Sequence, residues 1–253
     1  LLFVFFLPSF AHAGMSVKEI LVLILGNIIQ WFLDGNYGSL QHIFYSEKAS
    51  KEANDFIHKR TDTIFHEVKS GVFQKIISSS HQVDLVGVVS FAELEQKKCS
   101  KQKILILDEV CDPGNIGTLV RVAFGFGIHM IVFISKDKDL FSRKTIIASR
   151  GKVFHLPSRI FSSSQDAYSW LKETHCYFLG TQAGASSTIE DFKGEVEQLN
   201  KPLGIILGNE STGISEFLLK KADRVVRIPL SRCLDSLNVG VAGGIILYEL
   251  FHE

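Results

Sequence analysis

The sequence is poor in the residues that build disulfide frameworks or metal ribbons, and it has no net charge. Its four cysteines are widely spaced and form no C-x-x-C pair: Cys99, Cys111, Cys176 and Cys233. This spacing argues against a zinc ribbon or a dense disulfide framework, so we expect no metal site and a reducing, cytoplasmic location. Lysine and arginine together number 27, as do aspartate and glutamate. Binding to nucleic acid through overall positive charge is therefore disfavoured, although a local basic face is still allowed.

Long apolar runs are also lacking. The run over residues 20–33 is interrupted by Gly26, Asn27 and Gln30. It falls short of the ~18 continuous apolar residues that a membrane span requires. We therefore interpret the run as a buried strand or the start of a helix, and we expect no contact with a membrane.

The first fourteen residues, LLFVFFLPSFAHAG, resemble a secretory signal with a small-x-small cleavage site. The segment lacks a basic start and an initiating methionine, and Met15 follows it directly. We favour Met15 as the functional start over a true export signal. Residues 1–15 are accordingly assigned as a leader or a mis-called start.

Composition and pattern together predict two α/β domains. Hydrophobic residues make up 46% of the 253 positions and charged residues 21%, which supports a core and excludes a disordered chain or a coiled coil. Residues 16–93 predict a small unit with helices over 27–35 and 50–60 and strands over 42–46 and 83–91. The polar segment 94–102 is interpreted as a linker, or alternatively as one solvated helix end.

From residue 103 onward, strands alternate with helices, which predicts a mostly parallel sheet covered on both faces. The predicted strands are 103–110, 130–135, 176–183, 203–210 and 222–229. The predicted helices are 115–127, 166–175 and 238–251.

Two glycine patterns resemble nucleotide-binding motifs, but each lacks a residue that its motif requires. Gly125-Phe126-Gly127 follows a helix and has Met130 where a third glycine would stand, so a helix end is favoured over a dinucleotide site. The pattern from Gly208 to Gly213 continues with Ile214 instead of lysine, so it lacks the cation that a phosphate-binding loop requires.

Three turns in this half of the chain carry the polar residues of interest. After Asp112-Pro113-Gly114, a helix opens at Asn115 as its candidate N-cap and carries Arg121 among apolar neighbours. By itself Arg121 is either an ion-pair partner or a site residue.

The second turn places Asn209 and Glu210 after Gly208, where open α/β sheets bind ligands, or else forms an ordinary turn before an N-cap at Ser215. The third begins where Ile228-Pro229 ends a strand. Ser236-Leu237-Asn238 then opens a glycine-rich helix, which is either simply close-packed or part of a site.

In this order, DPGNIGTLVRVAFGFG, ILGNESTGIS and IPLSRCLDSLNVGVAGGIILYE resemble the three motifs of the SpoU/TrmH family of SPOUT RNA 2′-O-methyltransferases. Residues 16–93 more weakly resemble that family's ribosomal-protein-like substrate-binding domain, through His81-Gln82. The resemblance implies an α/β-knot fold in residues 103–253, with a C-terminal trefoil knot and a mostly parallel sheet.

The resemblance also implies a cofactor, S-adenosylmethionine, held in the knot largely by backbone groups. Gly208, Ile228 and Leu237 would contact it, and Leu207, Pro229, Leu230 and Asn238 would line the same pocket. Methyl transfer to a ribose 2′-hydroxyl would be assisted by Arg121, which acts as a base or orients the hydroxyl and phosphate. The supporting polar residues would be Asn115, Glu210, Ser236 and Asn238.

The implied substrate is a guanosine in rRNA, and the implied assembly is a homodimer through the knot region. The alternatives are a tRNA guanosine 2′-O-methyltransferase and a non-catalytic RNA-binding or ribosome-assembly protein. The sequence departs from the family pattern at Ser211, Arg232, Val83 and residues 149–152. Ser211 and Arg232 flank the expected pocket and bear on cofactor affinity.

Residues 136–161 contain seven basic and two acidic side chains, a local excess of 7 − 2 = +5. Such a run is either a solvated face or a phosphate-binding surface. Given the resemblance, we expect RNA phosphates to contact four of these side chains, Arg143, Lys144, Arg150 and Lys152.

Overall fold

The computed structural model describes residues 4–5, 19–25, 39–49, 51, 63–69, 85–92, 102–137, 139–196, 198–231 and 236–252. These residues form two β-sheets, one before the predicted linker and one after it. The exact domain boundaries and the assignment of residues 1–15 stay predictions.

The first sheet contains five strands: β1 (Val4–Phe5), β2 (Glu19–Leu25), β3 (Ser39–Tyr45), β4 (Ile64–Glu67) and β5 (Leu85–Ala92). Their order is β1-β2-β5-β3-β4, and only the β3–β4 pair is parallel. Strand β2 shows that the first part of the apolar run, residues 20–25, is a strand, whereas residues 26–33 lie outside the described residues. The predicted strands over 42–46 and 83–91 are confirmed as β3 and β5. The predicted helices over 27–35 and 50–60 lie outside the described residues, apart from Lys51.

The second sheet contains seven strands, all parallel, in the order β10-β12-β9-β11-β6-β7-β8. The strands are β6 (Lys103–Asp108), β7 (Met130–Ile134), β8 (Ser158–Phe161), β9 (Tyr177–Thr181), β10 (Ser187–Thr188), β11 (Leu203–Gly208) and β12 (Arg224–Arg227). The helices between and after them are α1 (Pro113–Gly125), α2 (Arg143–Ala148), α3 (Ser164–Lys172), α4 (Ile189–Val196), α5 (Glu216–Lys221) and α6 (Val239–Phe251). The predicted α/β class with a parallel sheet is confirmed, and the trefoil knot stays a prediction.

Alternation along the central strands explains how both faces of this sheet are covered. On β6, Leu105 and Leu107 belong to a core shared with α1, α2, α4 and α6, whereas Ile104 and Ile106 belong to a core shared with α3 and α5. All four side chains are fully buried. A strand buried on both faces reads as a continuous apolar run, as KILIL does.

Two glycines allow the helices of the first face to pack closely. A Cβ atom on Gly243 of α6 would lie 2.2 Å from Leu119 Cδ2 and 2.7 Å from Leu207 Cδ1. A Cβ atom on Gly117 of α1 would lie 2.5 Å from Ala148 Cβ and 2.7 Å from the Thr145 carbonyl oxygen. Helix α6 therefore lies directly on α1 and β11, and α2 lies directly on α1.

The prediction that Asn115 opens and caps α1 is wrong. The helix begins at Pro113, and the Asp112 side chain caps it by accepting a hydrogen bond from the Asn115 backbone N–H at 2.8 Å. Proline suits a first helical position because its missing N–H would have no intrahelical partner there. This shift leaves the Asn115 side-chain amide available for contacts outside the helix.

Within the parts of the chain that the structure describes, no helix is both long enough and apolar enough to cross a bilayer.

Candidate active site at the carboxyl edge of the second sheet

The three predicted turns meet at one edge of the parallel sheet. Gly208 at the end of β11 pairs in register with Asp108 at the end of β6. Strand β12, which leads to Ile228, pairs with β9, the other neighbour of β11. The carboxyl ends of parallel strands share one edge, where ligands of open α/β sheets bind.

The loop after β11 is closed on itself. Asn209 and Gly213 exchange two backbone hydrogen bonds of 3.0 and 2.9 Å, and the Asn209 side-chain oxygen accepts the backbone N–H of Ser211 at 2.8 Å. A Cβ atom on Gly208 would lie 2.2 Å from both Gly213 C and Ile214 N. Only glycine therefore fits where the loop folds back over the end of its own strand.

Asn209 also joins this loop to the turn after β6. Its side-chain amide donates to the Glu109 carbonyl oxygen at 2.8 Å and approaches Cys111 Sγ at 3.3 Å. Glu109 has a φ of +56°, which a residue with a side chain rarely adopts. The hydrogen bond from Asn209 holds the strained carbonyl in place, so the two turns are fixed relative to each other.

Helix α6 begins as the third motif predicted. Asn238 is its N-cap, and the Asn238 side-chain oxygen accepts the backbone N–H groups of Gly240 at 2.9 Å and Val241 at 3.3 Å. An asparagine cap of this kind satisfies helix donors that otherwise have no partner. With its oxygen engaged, the Asn238 side chain can only donate in other directions.

A relay of two side-chain amides links the three turns. Asn238 Nδ2 donates to Asn115 Oδ1 at 3.0 Å, and Asn115 Nδ2 donates to Glu210 Oε1 at 3.0 Å. The capping bonds fix the orientation of Asn238, which fixes that of Asn115, so the relay has one direction and ends on the carboxyl group of Glu210. Three of the predicted polar site residues are thus brought together, and Ser236 is exposed two residues before the relay begins.

Arg121 lies on the exposed surface of α1, about 9 Å further along the helix axis than Asn115. Within the described part of the chain, its guanidinium forms no ion pair or hydrogen bond. The interpretation of Arg121 as an ion-pair partner therefore finds no support. A solvent-facing guanidinium one helical turn beyond Gly117 is free to contact a ligand.

The residues predicted to hold a cofactor differ in how far their side chains are exposed to solvent. Leu207 is 2% exposed beneath α6, so only its backbone end can face a ligand. Gly208, Ile228, Leu230 and Leu237 are half-buried, and Pro229 is exposed. Ser211 is exposed in the loop after β11, and Arg232 lies outside the described residues. Among the described residues predicted to hold a cofactor, the site thus offers mainly apolar side chains and backbone groups.

The predicted phosphate-binding residues lie on and after α2. Lys144 and Arg150 are exposed, and Lys152 Nζ lies 4.7 Å above the ring of Phe124 on α1. Arg143 is half-buried, and its Nε atom has no hydrogen-bond partner. The seven basic residues of this run do not share one face, because Arg159 stacks on Trp170 of α3, at 4.6 Å, on the other side of the sheet.

Sequence reasoning missed Asp108, and it noted Asn209 as a turn residue without assigning it a role in holding the site together. Asp108 is fully buried, and Asn209 connects the first two turns. The available signal was an acidic residue at the end of the apolar strand KILILD. In the described part of the chain, no group of three or more histidine, cysteine, aspartate or glutamate side chains is arranged to hold a metal ion.

Comparison with known proteins gives matches over most of the chain. Residues 102–248 match the family model described as the SpoU rRNA Methylase family. A relative from Nitrosomonas europaea, a 23S rRNA (guanosine-2′-O-)-methyltransferase named RlmB, is 32% identical over 177 residues. That alignment covers 69% of this chain and 65% of the relative, slightly less than two thirds of the relative's length.

Two solved structures share the fold. The SpoU methyltransferase AviRb from Streptomyces viridochromogenes, in complex with the cofactor AdoMet, superposes with a TM-score of 0.78 at 22% identity, covering 92% of this chain and 89% of its own. An AdoMet-bound rRNA methyltransferase from Sinorhizobium meliloti superposes with a TM-score of 0.72 at 25% identity, covering 92% and 86%.

Proposed function

Because the chain belongs to the SpoU/TrmH family of RNA methyltransferases, we propose that it methylates the 2′-hydroxyl of a guanosine ribose in rRNA with S-adenosylmethionine as the methyl donor. The observation that carries this proposal is the amide relay from Asn238 through Asn115 to Glu210. It brings polar groups from three distant turns to the edge of the sheet where such folds bind their ligands.

The residues at this edge suit S-adenosylmethionine. Half-buried Ile228, Leu230 and Leu237 offer apolar contact to an adenine ring, and the turns offer backbone groups for its polar edge. The space kept free at Gly208 lets the loop after β11 close tightly, which shapes one wall. When bound, the cofactor supplies an electrophilic methyl group on a sulfonium.

The protein must then place and activate a weak nucleophile. A guanidinium is protonated under ordinary conditions, so Arg121 is better suited to donate hydrogen bonds than to remove a proton. In the proposed role, Arg121 binds the phosphate next to the target ribose and donates a hydrogen bond to the 2′-oxygen, which lowers the cost of ionising the hydroxyl. The hydroxyl proton would pass to solvent water as the oxygen takes up the methyl group. Glu210, fixed by the relay, and Ser236 complete the polar wall that orients the ribose.

The target RNA would extend from Arg121 over the segment around α2. Arg143, Lys144, Arg150 and Lys152 supply four positive charges for phosphate contacts, and Phe124 lies beside Lys152. A tRNA substrate would use the same surface. The rRNA assignment is preferred because the N. europaea relative is named for 23S rRNA and because residues 16–93 resemble a ribosomal-protein-like domain.

A homodimer through the face of α6 is also part of the proposal. Val241, Ile245 and Tyr248 are spaced i, i+4 and i+7 and are 52%, 38% and 52% exposed. This spacing places three apolar side chains on one face of a helix. Exposed apolar patches of this kind mark association surfaces.

The activity is tested by substituting Arg121 and supplying both RNA classes. The purified chain, with labelled S-adenosylmethionine, should label the 2′-oxygen of one guanosine in rRNA and not tRNA. Arg121→Ala should reduce turnover at least a hundredfold while calorimetry shows unchanged cofactor affinity. Arg159→Ala, on the other face of the sheet, serves as the matched control and should retain full activity.

Each outcome bears on a different part of the proposal. Labelling of tRNA alone would overturn the rRNA assignment. Full turnover by Arg121→Ala would remove Arg121 from the chemistry. Absence of cofactor binding by the unaltered protein at millimolar concentration would favour the non-catalytic RNA-binding alternative.

A further inference from the structure

The carboxyl group of Asp108 stands at the centre of a buried hydrogen-bond junction outside the amide relay. Its side chain is fully buried at the end of β6. Asp108 Oδ1 accepts from Ser164 Oγ, in the first turn of α3, at 2.9 Å. Asp108 Oδ2 accepts from the backbone N–H of Ser215, the residue before α5, at 2.7 Å. The two serine hydroxyls approach each other at 3.4 Å.

Asp108 contacts both ends of the loop that carries Glu210. The loop leaves β11 at Gly208, whose partner in the sheet register is Asp108 itself. It returns at Ser215, whose backbone N–H is held by the Asp108 side chain. One residue of β6 thus fixes the point where the loop departs and the point where it ends.

Besides Asp108, the returning arm of the loop is anchored by the buried side chain of Ile214. Glu210, Ser211, Thr212 and Gly213 are exposed, and only Ile214 is buried. The two bonds between Asn209 and Gly213 close the loop internally but do not tie its end to the sheet. Ser215 is half-buried, and a backbone N–H shielded from water that loses its acceptor carries a free-energy cost, so the Ser215 N–H favours this one arrangement.

We infer that Asp108 is a positioning residue that holds the Gly208–Ser215 loop in its ligand-binding form. It touches neither the proposed cofactor nor the RNA. It acts through the loop backbone that forms one wall of the proposed cofactor site and carries Glu210. This inference deepens the proposed function and rests on it.

The hydrogen-bond pattern predicts which substitutions are tolerated. Asp108→Asn keeps an oxygen that can accept from Ser215 N–H and places an amide where it can donate to Ser164 Oγ. Asp108→Ala removes both acceptors, and Asp108→Ser leaves a hydroxyl too short to reach Ser215. Ser164→Ala deletes the bond on the α3 side and the 3.4 Å contact with the Ser215 hydroxyl, but it leaves the Ser215 backbone N–H bonded to Asp108. It is therefore the matched control for a disturbance of the same buried carboxyl group.

Two measurements on the full chain test the inference. The first is hydrogen exchange of the backbone amides of residues 209–215 without any ligand. Asp108→Ala and Asp108→Ser should accelerate exchange there at least tenfold, whereas Asp108→Asn and Ser164→Ala should leave it near the wild-type rate. The second is calorimetry with S-adenosylmethionine. The affinity should fall about tenfold for the first pair, the loss expected for one buried hydrogen bond, and stay within about threefold for the second pair.

The outcomes separate this inference from the proposed function. If Asp108→Ala does not fold, Asp108→Ser provides the same test with a polar group retained. Unchanged exchange and affinity in a folded Asp108→Ala or Asp108→Ser overturn the positioning role, as does an equal loss in Ser164→Ala. If the unaltered protein itself binds no S-adenosylmethionine, the proposed cofactor is overturned, while the exchange rates still report whether Asp108 holds the loop.

Discussion

The direction of the amide relay depends on two asparagine side chains, each of which must accept on one side and donate on the other. An aspartate can accept but, when ionised, cannot donate. Asn115→Asp would place a second carboxyl group against Glu210, where the structure has an N–H···O bond of 3.0 Å.

We expect Asn115→Asp to lower methyl transfer at least tenfold at neutral pH, because repulsion would displace Glu210. The thermal unfolding midpoint should also fall. Assays of turnover and of unfolding at pH 7 check both statements. An unchanged midpoint and full turnover at pH 7 would contradict the relay.

Gly208 is a position in the site where no side chain fits. In Gly208→Ala, the added Cβ would meet backbone atoms of Gly213 and Ile214 at 2.2 Å, so the whole loop would have to move. We expect binding of S-adenosylmethionine to be lost at millimolar ligand, with a cost in stability of about 1–3 kcal/mol. Gly184→Ala, where an added Cβ meets nothing within 4 Å, is the control and should behave as wild type in calorimetry and urea unfolding.

Asp139 is a residue whose charge works against folding. Burial raises the pKa of its carboxyl group above the usual value, although a hydrogen bond from the Phe141 backbone N–H opposes the shift. A carboxyl group whose pKa is higher in the folded state stabilises the fold below its unfolded pKa of 3.8, and this contribution is lost as pH rises through the folded value.

Asp139→Asn should therefore raise the unfolding midpoint at pH 7 and lose this advantage below pH 4, since an amide oxygen can still accept from Phe141. Thermal unfolding of both proteins across this pH range measures the difference. A lower midpoint for the variant at pH 7 would show that burial does not dominate at this position.

At the scale of elements, the contact between α1 and α2 decides where the basic segment lies. Gly117→Ala would force its Cβ against Ala148 and the backbone of α2, at 2.5–2.9 Å. We expect a loss of about 1–3 kcal/mol in the free energy of unfolding, and weaker RNA binding because α2 carries Arg143 and Lys144.

Gly125→Ala, at the other end of α1, has open space around the added methyl group and should be neutral or slightly stabilising. Urea unfolding and filter binding of rRNA compare the two variants. Equal stability of the two variants would mean that α1 and α2 can separate without cost.

The elements differ in how far the sequence alone could predict them. The central strands of the second sheet and helices α1 and α6 are long apolar segments, and their positions agree with prediction to within a few residues. Helices α2 and α4 and strands β8 and β10 were missed; α2 and β8 illustrate why, because RKTIIA and SRIF are short and mixed in composition. Both are stabilised by elements that precede them in the chain: α2 packs on Gly117 of α1, and β8 pairs with β7.

The same distinction applies to the site. Local chemistry predicted the strand end at Gly208, the turn at Glu210 and the helix opening near Asn238, whereas only the family resemblance implied that the three would share one site. The true start of α1 depends on a local cap, from Asp112 to Asn115, that the sequence analysis assigned to the wrong residue. The relay and the hydrogen bonds to Asp108 depend instead on contacts between residues 56 to 123 positions apart. No local pattern records such pairs, so they became visible only in three dimensions.

At the scale of the whole molecule, the exposed face of α6 predicts self-association. Ile245→Glu would place a charge among Val241 and Tyr248 in the proposed dimer interface. We expect the wild-type protein to elute as a dimer in size exclusion with light scattering, and Ile245→Glu as a folded monomer. Glu249→Gln, on the same helix, is the control and should stay dimeric. A monomeric wild type would contradict the proposed assembly.

The long sequence separation within the amide relay has a consequence for how the domain unfolds. Its members come from the first, the last and an intermediate part of the second sheet's chain segment. Contacts this distant along the chain require long loops to be closed, at a cost in conformational entropy, before they can stabilise the fold. A ligand that binds beside the amide relay should therefore stabilise the whole part of the chain that forms the second sheet. During denaturation, ligand binding and the secondary structure of this part should be lost together in one transition.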